Sequence, residues 1–145
     1  MSVTSVVNVT ITAISGANVT CTLSMANAND PNAQIVNDPS GSPTLIEVVA
    51  AQGIAVQISF NLLTPSFSDG AGPNYTDFTI QSILLSPPTI SVTTDPVGIL
   101  DNNSRDPGIP YTYSMNFQGY ADGTFGNFVW DPGVVNENFV KPPRS

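Results

Sequence analysis

The chain has 145 residues, with 41% hydrophobic side chains but only 10% charged ones, far below the roughly 25% of ordinary soluble domains, and a net charge of −8. Its only cations are Arg105, Lys141 and Arg144, so no clustered basic patch can form to hold nucleic acid or an anionic membrane surface. Histidine is absent and Cys21 is the single cysteine, which removes Ser-His-Asp and Cys-His catalysis, an internal disulfide framework and the usual zinc sites.

The chain opens with two runs of period-two alternation. Val7, Val9, Ile11 and Ala13 alternate with Asn8, Thr10 and Thr12, and Val19, Cys21, Leu23 and Met25 alternate with Thr20, Thr22 and Ser24. This spacing predicts two half-buried strands, with Ser15-Gly16-Ala17-Asn18 as the hairpin turn between them. Cys21 falls on the apolar face and reads as a small buried hydrophobe, not a reactive thiol. Residues 26–43 read as a long Asn/Asp/Pro/Gly/Ser loop. Two more strands follow, Thr44 to Ala51 and Ile54 to Leu62, the second with Ile54, Val56, Ile58, Phe60 and Leu62 on one face.

A Gly/Pro-rich loop from Thr64 to Pro73 precedes a strand over Phe78 to Leu85, stopped by Ser86-Pro87-Pro88. Ile90 and Val92 mark a short strand, and Asp95 to Pro110 reads as a polar loop. Tyr111, Tyr113, Met115 and Phe117 line one face of the next strand. The last runs from Thr124 to Trp130 and bends at Asp131-Pro132-Gly133 into Val134-Val135. Five of the nine aspartates stand directly before proline, at 30, 38, 95, 106 and 131, and each pair reads as a corner in a chain that keeps turning.

Some seven or eight short strands without helical periodicity predict an all-β fold, an antiparallel, immunoglobulin-like β-sandwich. The expected organisation is one domain over residues 1–140 with a flexible tail at 141–145. No run approaches the roughly 18 apolar residues of a membrane span, and Met1 to Val9 has no basic leader pattern, so the expected home is the cytoplasm.

The run Phe128-Val129-Trp130-Asp131-Pro132-Gly133-Val134-Val135-Asn136-Glu137-Asn138, with the opening strand and Val19-Thr20-Cys21, resembles a small bacterial family named for its DP and EP dipeptides. Gly119-Tyr120 and Trp130-Asp131-Pro132 are also similar to elements of inclusion-body proteins of the AidA/PixA type. Asn138 stands where the DP-EP family's second proline would be. The resemblance implies a compact bacterial β-sandwich from a family with no established catalytic residues, so that no site carries over and Asp131 and Pro132 match as structural residues.

Two Asx-rich loops are candidates for calcium, since hard cations take carboxylate and carbonyl oxygens from turning backbone. One holds Asn27, Asn29, Asp30, Asn32, Asn37 and Asp38, and the other Asp101, Asn102, Asn103, Ser104 and Asp106. The second fails the calcium-loop pattern, with Arg105 at its fifth position and Thr112 at its twelfth, and Asx turns account for the same residues. Asp69, Asp77, Asp122 and Glu47 are the acids a carboxylate-based hydrolase would need. Tyr111, Tyr113, Tyr120, Phe125, Phe128 and Trp130 form a candidate aromatic surface for a protein or carbohydrate partner. Asn8-Val9-Thr10, Asn18-Val19-Thr20, Asn74-Tyr75-Thr76 and Asn102-Asn103-Ser104 match the glycosylation acceptor pattern, which strand alternation in an Asn- and Thr-rich chain also produces.

These residues give a leading expectation of a non-enzymatic protein that acts through self-association, as a homo-oligomer, or through protein binding. Its aromatic last third is the expected contact, because few charges guard the sheet surfaces. A calcium- or carbohydrate-binding module is the alternative, and a carboxylate-based hydrolase the second.

Overall fold

The computed structural model describes residues 2–38, 40–51, 53–68, 70, 72–86, 91–94, 97–101 and 111–135. Ten strands run through them in chain order: β1 (Ser2–Ser15), β2 (Asn18–Met25), β3 (Ala33–Asn37), β4 (Pro43–Val48), β5 (Ala55–Leu62), β6 (Tyr75–Ser86), β7 (Ser91–Thr94), β8 (Val97–Asp101), β9 (Tyr111–Ala121) and β10 (Thr124–Val135). Among the described residues the fold is all-β, and no helix is long and apolar enough to cross a membrane.

The strands form an eight-stranded sheet in the order β6-β9-β10-β2-β1-β5-β8-β7 and a two-stranded sheet of β3 and β4. The sheet is mixed where antiparallel pairing was expected. β1 and β5 run parallel from Ser2↔Ala55 to Val9↔Leu62, while the hairpins β1–β2, β7–β8 and β9–β10 are antiparallel. One parallel rung, Val129↔Asn18, with the Val129 N–H donating to the Ala17 carbonyl at 2.9 Å, joins β10 to β2. The large sheet thus has a five-stranded half, β2-β1-β5-β8-β7, and a three-stranded half, β6-β9-β10. The small sheet lies against β2 and β10, and β6 lies against β7 and β8.

Alternation places the core. Val7, Val9 and Ile11 of β1, Val19, Cys21 and Leu23 of β2, Val56, Ile58 and Phe60 of β5, and Met115 and Phe117 of β9 are all buried in one cluster. A fully buried side chain of this size stabilises by roughly 1.5–3 kcal/mol, so these rows specify the register of each strand. Around Tyr75 the core is aromatic. Phe78 and Phe128 meet edge-on to its ring at 5.8 and 5.9 Å between centroids, and 4.7 Å from each other.

Departures from simple alternation have local causes. Ala13 was expected inside, but a bulge between Ile11 and Ala13 changes the phase of β1, exposing Ala13 and burying Ile14. β3 occupies part of the stretch read as loop at 26–43, and β8 part of that read as loop at 95–110, so the described residues hold ten strands where seven or eight are expected. The bend expected at Asp131-Pro132 is a bulge in β10 between Trp130 and Gly133, a place where proline's missing N–H leaves no broken ladder bond. Asp122 (φ 48°) and Gly123 (φ 84°) make the β9–β10 turn, both in the left-handed region that a tight two-residue hairpin requires.

Candidate functional site

The acids of the first Asx-rich loop are committed to their own backbone. Asp30 Oδ1 accepts the Asn32 N–H at 2.8 Å, the Ala33 N–H at 3.3 Å and the Ser5 hydroxyl at 3.1 Å, closing an Asx turn at the start of β3 and tying it to β1. Asp38 Oδ1 accepts the Ser40 and Ser42 N–H groups at 2.8 and 3.0 Å and the Ser40 hydroxyl at 2.5 Å. Its Oδ2 accepts the Thr44 hydroxyl at 2.8 Å. These bonds, the Ser40 and Thr44 hydroxyls foremost, hold its carboxyl down at about 2. Asp101 ends β8 opposite Val56, and Asn103 and Asp106 lie outside the described residues. Among the described residues no three Cys, Asp or Glu side chains come together as a metal site.

The hydrolase acids are dispersed over the fold. Glu47 is buried in the small sheet, where Gln34 Nε2 donates to its Oε1. Asp77 is exposed in a bulge of β6 (φ 55°), Asp122 is exposed in the β9–β10 turn, and Asp69 lies outside the described residues. Cys21 is fully buried, and that burial pushes its thiol up to about 12.

The aromatic surface divides in two. Phe128 and Trp130 point into the core, 8% and 4% exposed, and so are corrected from surface to interior: they share the inward face of β10. Phe125 and Tyr120 are 54% and 38% exposed. They are cross-strand partners on β10 and β9 and meet edge to face at 5.3 Å. Tyr111 and Tyr113 stand on β9 opposite Val135 and Gly133.

Register extends the Tyr120–Phe125 pair into a row. Tyr120 pairs on its other side with Thr76 of the edge strand β6. The chain before β6 adds one more rung, an antiparallel bridge of Phe67 to Tyr75 with both backbone bonds at 2.9 Å, which sets Ser66 beside Thr76 and Ser68 beside Asn74. Phe67 and Tyr75 turn their rings toward each other, centroids 6.4 Å apart. Ser66, Ser68, Asn74 and Thr76 line, with them, an open cleft of about 400 Å³. Asp122 fixes this end of the fold: its Oδ1 accepts the Asn74 N–H at 2.9 Å and its N–H donates to the Asn74 carbonyl at 2.8 Å.

Below that row the outward face of the three-stranded half is a ladder of amides and hydroxyls. Gln118 Nε2 donates to Asn127 Oδ1 at 3.1 Å, and Asn116 Nδ2 to Ser82 Oγ at 3.1 Å. On the other half, Asn61 Nδ2 donates to Asn8 Oδ1 at 3.2 Å. β1, β2, β5 and β9 contain no charged residue, and among the described residues Asp30, Asp38, Asp77, Asp101 and Asp122 stand at turns, a bulge or a strand end. Sequence reasoning found the aromatic pair but missed Ser66, Thr76 and the cleft, which share a surface only through the Phe67–Tyr75 bridge.

In comparisons with known proteins, no family model and no curated sequence matches this chain.

Proposed function

We propose that this protein is a non-enzymatic binding module that works by self-association, through the uncharged outward face of β2, β1 and β5. The observation that carries the reading is the composition of that face. Thr10, Thr22, Asn8, Ser24 and Asn61 surround two exposed aliphatic side chains, Val6 and Leu63, 38% and 50% exposed, and no charge interrupts them. A neutral face with exposed aliphatic anchors lacks the charged guards that normally keep sheets apart. Lacking histidine, and with its one thiol held neutral in the core, the chain carries little equipment for catalysis. The fold reading that goes with it is a sandwich of immunoglobulin-like type. The single rung between β10 and β2 supports this, because it lets the two halves of the large sheet fold over one core. A bacterial, cytoplasmic setting belongs to the same reading.

Light scattering across a wide concentration range, at low and high salt, tests it. Every copy is negative, so screening between approaching copies is expected to strengthen association as salt rises. Val6→Glu and Leu63→Glu are expected to give monomers with unchanged circular dichroism. A wild-type protein that stays monomeric throughout would refute self-association.

A further inference from the structure

The row at the end of the three-stranded half is a different surface from the one proposed for association, and its chemistry is different. We propose that Ser66, Thr76, Tyr120 and Phe125, with Ser68 and Asn74 beside them, form a binding site for a neutral carbohydrate chain.

Three observations meet there. First, Tyr120 and Phe125 expose two rings in edge-to-face contact on a face that also carries Thr76, Ser82, Asn116, Gln118 and Asn127. Aromatic faces of this kind cover the C–H faces of sugar rings, and a Tyr or Phe orders few torsions on binding. Second, Ser66, Ser68, Asn74 and Thr76 line the adjoining cleft together with Phe67 and Tyr75, so hydroxyl and amide side chains stand beside apolar surface there. Hydroxyls and amides both donate and accept, as sugar hydroxyls do, so each can pair with a partner of either polarity. Among the described residues the side chains of Ser66, Asn74 and Thr76 make no internal hydrogen bond, leaving that capacity to a ligand. Third, the row itself is uncharged, and the described residues contain neither lysine nor arginine. Among the described residues a sulfated or carboxylated chain would meet no counter-charge, and Asp122 and Asp77 nearby would repel it. A neutral chain pays neither cost.

The dimensions fit an extended ligand. The row crosses four chain segments spaced about 4.8 Å apart, so it is about 14 Å from end to end. That is the reach of a short oligosaccharide lying across the strands, with its aromatic contact at one end and its hydroxyl contacts at the other.

The test is saturation-transfer NMR and calorimetry with neutral oligosaccharides of β-1,4-glucan, β-1,4-linked N-acetylglucosamine, α-1,4-glucan, galactan and mannan, with heparin fragments as the anionic comparison. At least one neutral chain is expected to bind, and Tyr120→Ala and Phe125→Ala each to weaken it by about tenfold or more while melting like wild type. Thr76→Val, which keeps the shape and removes the hydroxyl, is expected to weaken the same ligand. Leu63→Glu is expected to leave it unchanged, so loss of association and loss of sugar binding are read apart. Failure of every neutral chain to bind, preference for heparin, or full binding by both aromatic variants would overturn the proposal. So would a wild-type oligomer that Phe125→Ala alone dissolves, since the row would then be a contact between copies.

Discussion

Replacing Gly98 by alanine puts one methyl group against the backbone of the neighbouring strand. Gly98 lies in β8 opposite Ser59 of β5, and a Cβ there would sit 2.1 Å from the Ile58 carbonyl oxygen and 3.1 Å from both Ile58 C and Ser59 Cα. Carbon and oxygen in adjacent strands rest at about 3.3 Å or more, so relief needs a shift of about 1 Å, and no side-chain rotation can supply it. The strand pair to be moved is central to the core, for Ile58 and Ile99 beside it are both fully buried. Overpacking of this kind costs about 2–3 kcal/mol, which for a chain of this length lowers the melting temperature by roughly 6–10 °C. Gly126→Ala is the matched control, because its Cβ would meet only the Phe128 ring at 3.6 Å, an ordinary contact, and is expected to change stability by no more than about 0.5 kcal/mol. Thermal and urea unfolding followed by circular dichroism and by the buried Trp130 would measure both. If Gly98→Ala melted within about 2 °C of Gly126→Ala, the close approach of β8 to β5 would be refuted.

Two further outcomes follow from the charge chemistry. Asp38 has its folded pKa lowered from 3.8 to about 2, so its contribution to stability is present above pH 3.8 and lost as pH falls toward 2. Asp38→Asn is therefore expected to melt lower than wild type at neutral pH, with the gap closing across that window in a series of thermal scans. An unchanged gap would show that the carboxylate charge is not what holds the 38–44 turn. Cys21, with its thiol pushed up to about 12 by burial, is expected to resist a disulfide exchange reagent at neutral pH and to react in urea at the rate of unfolding. Fast labelling of the native protein would contradict the buried position.

What the sequence made legible was local. The rows Val7-Val9-Ile11, Val19-Cys21-Leu23 and Val56-Ile58-Phe60 announce their strands because each faces one core across a period of two, and all three are buried as that pattern requires. β3 was hidden because its Ala33–Asn37 is short and flanked by Asx turns, so its neighbours read as loop. β8 is hidden by its own shortness and by Gly98, its second residue, although that glycine is what lets the strand approach β5. Parallel pairing of β1 with β5 had no local signature, since no turn joins them and their hydrogen bonds depend on residues far apart in the chain. The candidate site shows the same division. Alternation along β9 and β10 separates Met115 and Phe117 from Gln118 and Tyr120, but the row from Ser66 to Phe125 crosses four segments, and only their lateral register assembles it. Phe128 and Trp130 stand close to Phe125 in the sequence, but the phase of β10 turns them inward and Phe125 outward.

The parallel ladder between β1 and β5 also dictates an order of events on the ribosome. β1 is made first, and the hairpin to β2 can close once Met25 has emerged, but its second edge has no partner until Leu62 is clear of the exit tunnel. During that interval the nascent chain presents one open edge of a hydrophobic strand without a lysine or a glutamate on it to discourage wrong pairing. Nascent chains cut short before β5 are therefore the species in which a trailing polypeptide or a chaperone would find that edge, and completing β5 is the step that withdraws it.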